Sequence, residues 1–273
     1  MGCSNCNFKN DWLMKKSLTI VKVGGNIIDD DAKLKIFLSD FAAIKGLKIL
    51  VHGGGKLATQ MANDMQIPQQ MIDGRRITDE ATLKIVTMVY AGWINKNIVA
   101  KLNELKNPSI GITGADGNCI LAHKRKHEKI DFGYVGDIDG VNTLVFTQLL
   151  DQGLSIVVAP ITQNQEGQLL NTNADTIAQE IAKALSTTYD VSLIYSFEKK
   201  GVLSDINDEN SVIKKLDHDT YQSLKNQSLI FAGMIPKLDN AFAAIAAGVN
   251  RVIIGEGTSL SQLIEGKNGT TIA

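Results

Sequence analysis

What this chain has little of narrows its reading first. Only three cysteines occur in 273 residues, too few for a disulfide framework at this length. Cys3 and Cys6 form a C-x-x-C with no second pair and no strand–helix context, so zinc or dithiol chemistry is not expected there; Cys119 is solitary. The thiols fit a reducing cytoplasm. An excess of one charge is missing too. With 28 basic and 29 acidic residues the net charge is −1, which offers no electrostatic footprint for nucleic acid or an anionic membrane. No apolar run reaches the roughly 18 residues of a membrane span. The start MGCSNC is like an acylation site, but Cys6 stands where Ser or Thr is required and no apolar signal region follows. Residues 1–16 read as a leader, with a short amphipathic turn around Trp12–Met14.

The common phosphate fingerprints are also absent. G-x-x-x-x-G-K-[ST] fails because Leu57 follows Gly55-Lys56 and the upstream spacing is wrong, and G-x-G-x-x-G does not occur. A P-loop NTPase and a nicotinamide dehydrogenase are both disfavoured. His123 and His127 are four apart but lie in a hairpin-like stretch, so they are not expected to hold a metal. "DIDG" (137–140) begins like a calcium loop but lacks the closing glutamate. The basic cluster "HKRKHEK" (123–129) reads as a solvated hairpin.

What is present is an alternation of short apolar runs with amphipathic ones. Strands are predicted at 18–23, 47–52, 109–113, 154–160, 191–196 and 251–255, with a last one in TTIA. Helices are predicted at 32–44, 56–65, from Thr78 as N-cap to about 105, at 141–152, 172–185, 236–247 and 258–265. Pro68–Ile77 reads as a hairpin or loop, 117–137 as a β-excursion, and 197–235 as a variable stretch. Such alternation gives an α/β fold, a mostly parallel sheet covered by helices on both faces. Ligands of such sheets bind at the carboxyl ends of the strands. The glycines cluster there: Gly24-Gly25, Gly53-Gly54-Gly55 and Gly114.

Lys22 poses a question, because it interrupts the β-branched run "IVKVGGNII" (20–28) and lysine is rarely buried without a partner. Three glycines in "VHGGGK" (51–56) exceed what a strand–helix turn needs and suit an anion approached by backbone N–H groups at a helix start. "GRRIT" (74–78) offers a planar fork for a carboxylate. "NTNAD" (171–175) places Asn171, Asn173 and Asp175 at a helix start, where Thr172 or Asn173 would be the cap. "GMIPKL" (233–238) puts Lys237 in a helix's first turn, against the dipole, which an anion bound there would explain.

Taken in order, "KVGGNII", "VHGGGK", "GRRITD", "VYAGWINKNIVAKLN", "FGYVGDIDGVN", "LLNTNADTIA" and "GMIPKL" resemble the acetylglutamate kinases of the amino-acid kinase superfamily, from about residue 18 to the C-terminus. The resemblance implies an open three-layer αβα sandwich with a central, mostly parallel sheet, in two lobes: 17–187, binding the acylated amino acid and carrying the contact of a homodimer, and 188–273, binding ATP with Mg²⁺. It implies transfer of a phosphoryl group from ATP to the γ-carboxylate of N-acetyl-L-glutamate, a cytoplasmic step of arginine biosynthesis. Lys22 and Lys237 would neutralise the phosphoryl group in flight, with Asp175 orienting both. Gly53, Gly54, Arg76 and Asn171 would bind the acyl amino acid, Arg76 taking its α-carboxylate. Gly24, Gly25, Gly233 and Met234 would contact ATP, and so would Glu198 and Lys200. No protein metal ligand is implied.

The family's Ser/Thr-Asp-Val-x-Gly stretch reads here "YSFEKKGVL" (195–203), with Phe197 and Glu198 where an aspartate is expected. The short leader and compact ending are more similar to arginine-insensitive dimers. N-succinyl-L-glutamate is the alternative acceptor, for which Arg75, Lys124 and Arg125 are cations of suitable charge. A silent ligand-binding regulator is a lesser alternative; such a protein would be expected to lack Lys22, Asp175 or Lys237, and all three are present.

Overall fold

The structure, a computed structural model, describes residues 15–72, 75–205, 207–227, 229–230 and 234–273, Arg75 by its backbone only. Cys3, Cys6, the Trp12–Met14 turn and Gly233 lie outside the described residues.

In chain order the elements begin with β1 (Ser17–Val23), α1 (Gly25–Ile28), α2 (Asp31–Ala43), β2 (Leu47–His52) and α3 (Gly55–Asp64). A hairpin of β3 (Gln70–Ile72) and β4 (Arg75–Ile77) leads into α4 (Glu80–Val86), a π-helical stretch (Thr87–Ile94) and α5 (Asn95–Glu104). Then come β5 (Ser109–Ile112), β6 (Ile120–Lys124), β7 (Val135–Val141), α6 (Thr143–Asp151) and β8 (Ser155–Val158). After β9 (Ile161–Gln163) and β10 (Leu169–Thr172) follow α7 (Ala174–Leu185) and β11 (Asp190–Phe197). The chain ends with β12 (Lys215–Leu216), α8 (His218–Asn226), α9 (Ile235–Ala246), β13 (Arg251–Glu256), α10 (Leu260–Ile264) and β14 (Thr270–Ile272).

Eight strands form one sheet in the order β12-β14-β13-β11-β1-β2-β8-β5. Its pairings are parallel except β13–β14. The middle strands are runs of Val, Ile and Leu because helices cover both faces. Period-two alternation splits β1 between two cores. Leu18 and Ile20 join Phe146, Ile177, Ile181 and Leu238, under α6, α7 and α9. Val21 and Val23 join Phe37, Phe41, Ala58, Ile98 and Leu263, under α2, α3, α5 and α10. Lys22 belongs to the first set by register. It therefore emerges where that core ends, on the face carrying α7 and α9.

Beside the sheet, β10, β7, β6 and β9 close into a small barrel. Gly136 permits the closure, since a Cβ there would lie 2.5 Å from the Thr172 hydroxyl oxygen.

Several expectations are corrected. Asp79, not Thr78, caps α4, accepting from Thr82 N–H at 2.7 Å. Thr78 is buried and its hydroxyl is used in the site below. Thr172 ends β10, so α7 starts at Ala174 with Asn173 as cap, accepting from the N–H groups of Asp175 and Thr176. The strand at 109–112 is the sheet's edge rather than a core strand. The variable stretch holds α8 and β12, which carry too few apolar residues for periodicity to reveal.

Candidate active site

The carboxyl ends of β1, β2 and β11 open onto a cleft of three adjoining compartments. The first, about 270 Å³, is lined by Gly53, Gly54, Arg76, Arg125, Asn171 and Asp175 among others. The second, about 280 Å³, has Gly24, Ser196, Lys237 and Glu256 in its wall. Lys22 and Gly25 line both. The third, about 350 Å³, is mostly apolar: Phe197, Val202, Leu203, Leu229, Ile230 and Met234. Phe197 and Glu198 border the second and third alike.

At the junction of the first two compartments Asp175 binds two lysines. Lys22 Nζ lies 2.8 Å from Asp175 Oδ1, and Lys237 Nζ donates to Asp175 Oδ2. All three side chains are largely buried. Burial by itself pushes the Asp175 carboxyl up, but the charges and hydrogen bonds of Lys22 and Lys237 overrule it and hold the group at about 2. Burial pushes the Lys237 ammonium down, as does the charge of Lys22, and Asp175 opposes both. Asp175 is in the first turn of α7, where a carboxylate suits the dipole. Lys237 is in the first turn of α9, where a cation does not, and the Asp175 carboxylate compensates. Its ammonium also lies 5.5 Å from the Phe197 ring centroid, a cation–π contact.

The first compartment holds its polar side chains in advance. Arg76 is buried and donates to Gly55 O (2.9 Å), Thr59 Oγ1 (2.8 Å) and Gln69 Oε1. Asn171 Nδ2 donates to Thr78 Oγ1 (3.0 Å), which in turn donates to Arg76 O at 3.1 Å. Arg125, read both within a solvated hairpin and as a candidate cation for the acyl pocket, turns inward and lines the compartment; its Nε lies 3.0 Å from both Asp137 oxygens. Thr172 and Asn171 end one barrel strand and Val135 starts its neighbour, so the barrel forms a wall. At the loop after β2, Gly53 N–H donates to Val23 O at 3.3 Å, so its amide is committed to the fold rather than offered to a ligand.

Of the sequence candidates, Lys22, Asp175 and Lys237 meet; Gly53, Gly54, Arg76 and Asn171 share the first compartment, Gly24 and Gly25 the second. Met234 lies in the third. Glu198 lies between the second and third. Lys200 lines none of the three: it borders a further hollow of about 130 Å³ that shares Glu256 with the second compartment, and its ammonium approaches Asn210 at 3.5 Å. Thr59, Gln69 and Thr78 were missed, since nothing local marks a residue whose role is to hold another. Ser196 was missed as well; its buried hydroxyl has no hydrogen-bond partner among the described residues, and it lies in the quoted "YSFEKKGVL" departure.

The profile of the amino acid kinase family matches residues 17–256. An acetylglutamate kinase of Cytophaga hutchinsonii is 55% identical over 250 residues, 91% of this chain and 95% of that one. An acetylglutamate kinase of Bacteroides fragilis is 50% identical over 259 residues, 95% and 98% of the two chains. Among solved structures, smu.665 from Streptococcus mutans superposes with a TM-score of 0.74 at 28% identity, covering 94% of this chain and 98% of its own.

Proposed function

The chain belongs to the amino acid kinase family, and from that premise we propose that it transfers the γ-phosphoryl group of ATP to the γ-carboxylate of N-acetyl-L-glutamate. The product is N-acetyl-L-glutamyl 5-phosphate, an intermediate of arginine biosynthesis. The acceptor is supported by relatives at 50–55% identity that are acetylglutamate kinases. The observation that carries the reaction is the Lys22–Asp175–Lys237 cluster at the junction of two compartments.

Both reactants are anions, so catalysis needs positive charge where the phosphoryl group passes. The acceptor occupies the first compartment, its α-carboxylate on Arg76 and its amide region by Asn171. ATP lies along the other two, its phosphates beside Gly24, Gly25 and Lys237 and its base in the apolar third with Met234. A carboxylate oxygen attacks the γ-phosphorus as the bond to the β,γ-bridging oxygen breaks, and ADP carries away that electron pair. No general base is required, because the acceptor carboxylate is already ionised at neutral pH. Asp175, held at about 2, has no useful basicity at neutral pH; it pins two ammonium groups that would otherwise repel.

The described residues include no cluster of three or more His, Cys, Asp or Glu able to hold a metal. A Mg²⁺ brought on the nucleotide phosphates keeps several waters and needs few protein ligands. Glu198 and Glu256, the carboxylates lining the second compartment, would hold it. When bound, Mg²⁺ supplies charge neutralisation along the phosphates.

The lobe assignment is supported by the linings. The first compartment draws on residues 22–175, the third on 197–234, and the second on 22–33 together with 196–258. A homodimer is supported by Met88 and Trp93, 55% and 67% exposed on the π stretch. Met61 on α3, which packs beside it, and Met65 at the C-cap of that helix are likewise exposed. No helix among the described residues is long and apolar enough to cross a membrane, and an ATP-consuming biosynthetic step belongs in the cytoplasm.

The test is ATP-dependent acyl phosphate formation trapped as hydroxamate, with N-acetylglutamate, N-succinylglutamate, glutamate and aspartate offered separately. Turnover with N-acetylglutamate is expected. Turnover confined to one of the other acids moves the acceptor, and silence with all four from folded, ATP-binding protein overturns the kinase reading.

A further inference from the structure

His52 ends β2 immediately before the glycine loop and is fully buried. Its Nδ1 is 2.8 Å from Gly53 O, and a carbonyl only accepts, so Nδ1 carries the proton and donates. Its Nε2 then accepts from Asn95 Nδ2 at 3.2 Å. The Asn95 amide is itself fixed. Nδ2 donates to Val157 O at 3.0 Å, and Oδ1 accepts from Lys96 Nζ at 3.1 Å. Both ring nitrogens of His52 are therefore used on protein groups, in the neutral tautomer that burial favours.

The consequence lies in the next peptide plane. The Gly53–Gly54 bond is trans, so Gly53 C=O and Gly54 N–H point in opposite directions. A carbonyl drawn inward to His52 turns the Gly54 N–H outward, toward the compartment that Gly54 lines. Among the described residues that N–H donates to no backbone carbonyl. The second torsion of the loop is clamped from the same helix. Gly54 has φ 149°, and a Cβ there would lie 2.2 Å from Ile94 Cδ1, the residue before Asn95. Ile94 and Asn95 thus grip the loop at successive peptides, where the π stretch gives way to α5.

We propose that His52, buttressed by Asn95, is a positioning residue that aims the Gly54 N–H at the transferring phosphoryl group. The inference rests on the kinase reading above, because Gly54 acts on a phosphoryl group only if one passes there. A histidine that merely filled the core would be replaceable by any side chain of similar volume. One that sets a peptide plane is replaceable only by a side chain with a donor at the same place, and asparagine has an N–H group the same number of bonds from Cα.

The experiment compares His52→Leu, His52→Asn and Asn95→Ser by steady-state kinetics and by the Gly54 amide resonance and its hydrogen exchange. His52→Leu is expected to lower kcat about 10–100-fold, less than outright loss of an oxyanion donor, with both KM values within about threefold of wild type. His52→Asn is expected to recover most of kcat and to keep the Gly54 amide near its wild-type shift. Asn95→Ser should lower kcat by a smaller factor, again with KM unmoved. A His52→Leu enzyme with wild-type kcat overturns the proposal, as does His52→Asn failing as badly as His52→Leu. If His52→Leu does not fold, a large kcat loss in His52→Asn or an unaltered kcat in Asn95→Ser overturns it. If wild type makes no acyl phosphate, the kinase reading falls, and the Gly54 amide in His52→Asn and Asn95→Ser still reports whether His52 sets that peptide.

Discussion

The two ends of the cleft are built by opposite means. At the polar end, proposed above for the acceptor, Arg76 has three protein acceptors, Asn171 is tethered through Thr78, and Arg125 is paired with Asp137. At the apolar end, proposed for the nucleotide, the wall is chiefly Phe197, Val202, Leu203, Leu229, Ile230 and Met234. One end is wired in advance to recognise an ion by direction; the other is a slot that buries a flat surface with little directional demand. The difference suits a reaction in which the acceptor must be chosen among similar amino acids, while the donor is abundant and aromatic.

The boundary between the ends is the sharpest place to test the contrast, because both reactants depend on it. Lys22→Ala and Lys237→Ala should each lower kcat by about 10²–10³, read as hydroxamate formation at saturating substrates. Near-normal turnover of either variant would remove the cluster from the chemistry.

Acid stability comes next. The His52 imidazole is pushed down by burial from 6.5 to about 4. Its folded pKa lies below the unfolded one, so its contribution is complete above 6.5 and lost as pH falls from 6.5 to 4. The linkage amounts to roughly 3 kcal/mol. Asp175, lowered from 3.8 to about 2, adds stability that is lost only below about pH 4. Thermal melts of His52→Asn should therefore fall less steeply than wild type between pH 6.5 and 4, and equally steep curves would contradict the buried neutral histidine.

Arg76→Gln should raise KM for the acylated glutamate about 10–100-fold, the worth of one charged hydrogen-bonding group, and leave KM for ATP unchanged. A shared effect on both constants would blur the comparison. The smallest change is expected at the slot. Met234→Ala should raise KM for ATP about 3–10-fold through lost apolar contact, without altering acceptor selectivity.

These contrasts explain what could be read from the sequence. The parallel sheet was legible because β1, β2, β8, β11 and β13 are apolar on both faces. Lys22 and Lys237 were legible because each breaks a local rule, a lysine in a buried strand and a cation at a helix start; Asp175 breaks none, since a carboxylate suits a first turn, and it was legible only through the resemblance carried by "NTNAD". Thr59, Gln69 and Thr78 break none; their roles come from partners 7–17 residues away or, for Thr78 and Asn171, 93 apart. Arg125 was legible by charge alone, as one of three candidate cations for the acyl pocket, while its run of basic residues also suggested a solvated loop; the pairing of β6 with β7 sets it against Asp137. The π stretch 87–94 was read as plain helix, since it is apolar nearly all round and presents no polar face whose spacing could reveal a widened turn. Gly53 illustrates the same limit at one atom: glycine content suggested an open N–H, and register with Val23 closes it.

The four-stranded barrel has a consequence for how such a molecule can change. It hangs beside the sheet as a cartridge, supplying Asn171, Thr172 and Val135 to the wall of the polar compartment while lending no residue to the apolar slot. Replacing the segments 120–141 and 161–172 would re-cut the lock for a different acid without disturbing the key that every such reaction shares. A single energy-rich donor can in this way be retained across a lineage while the molecule it activates is exchanged.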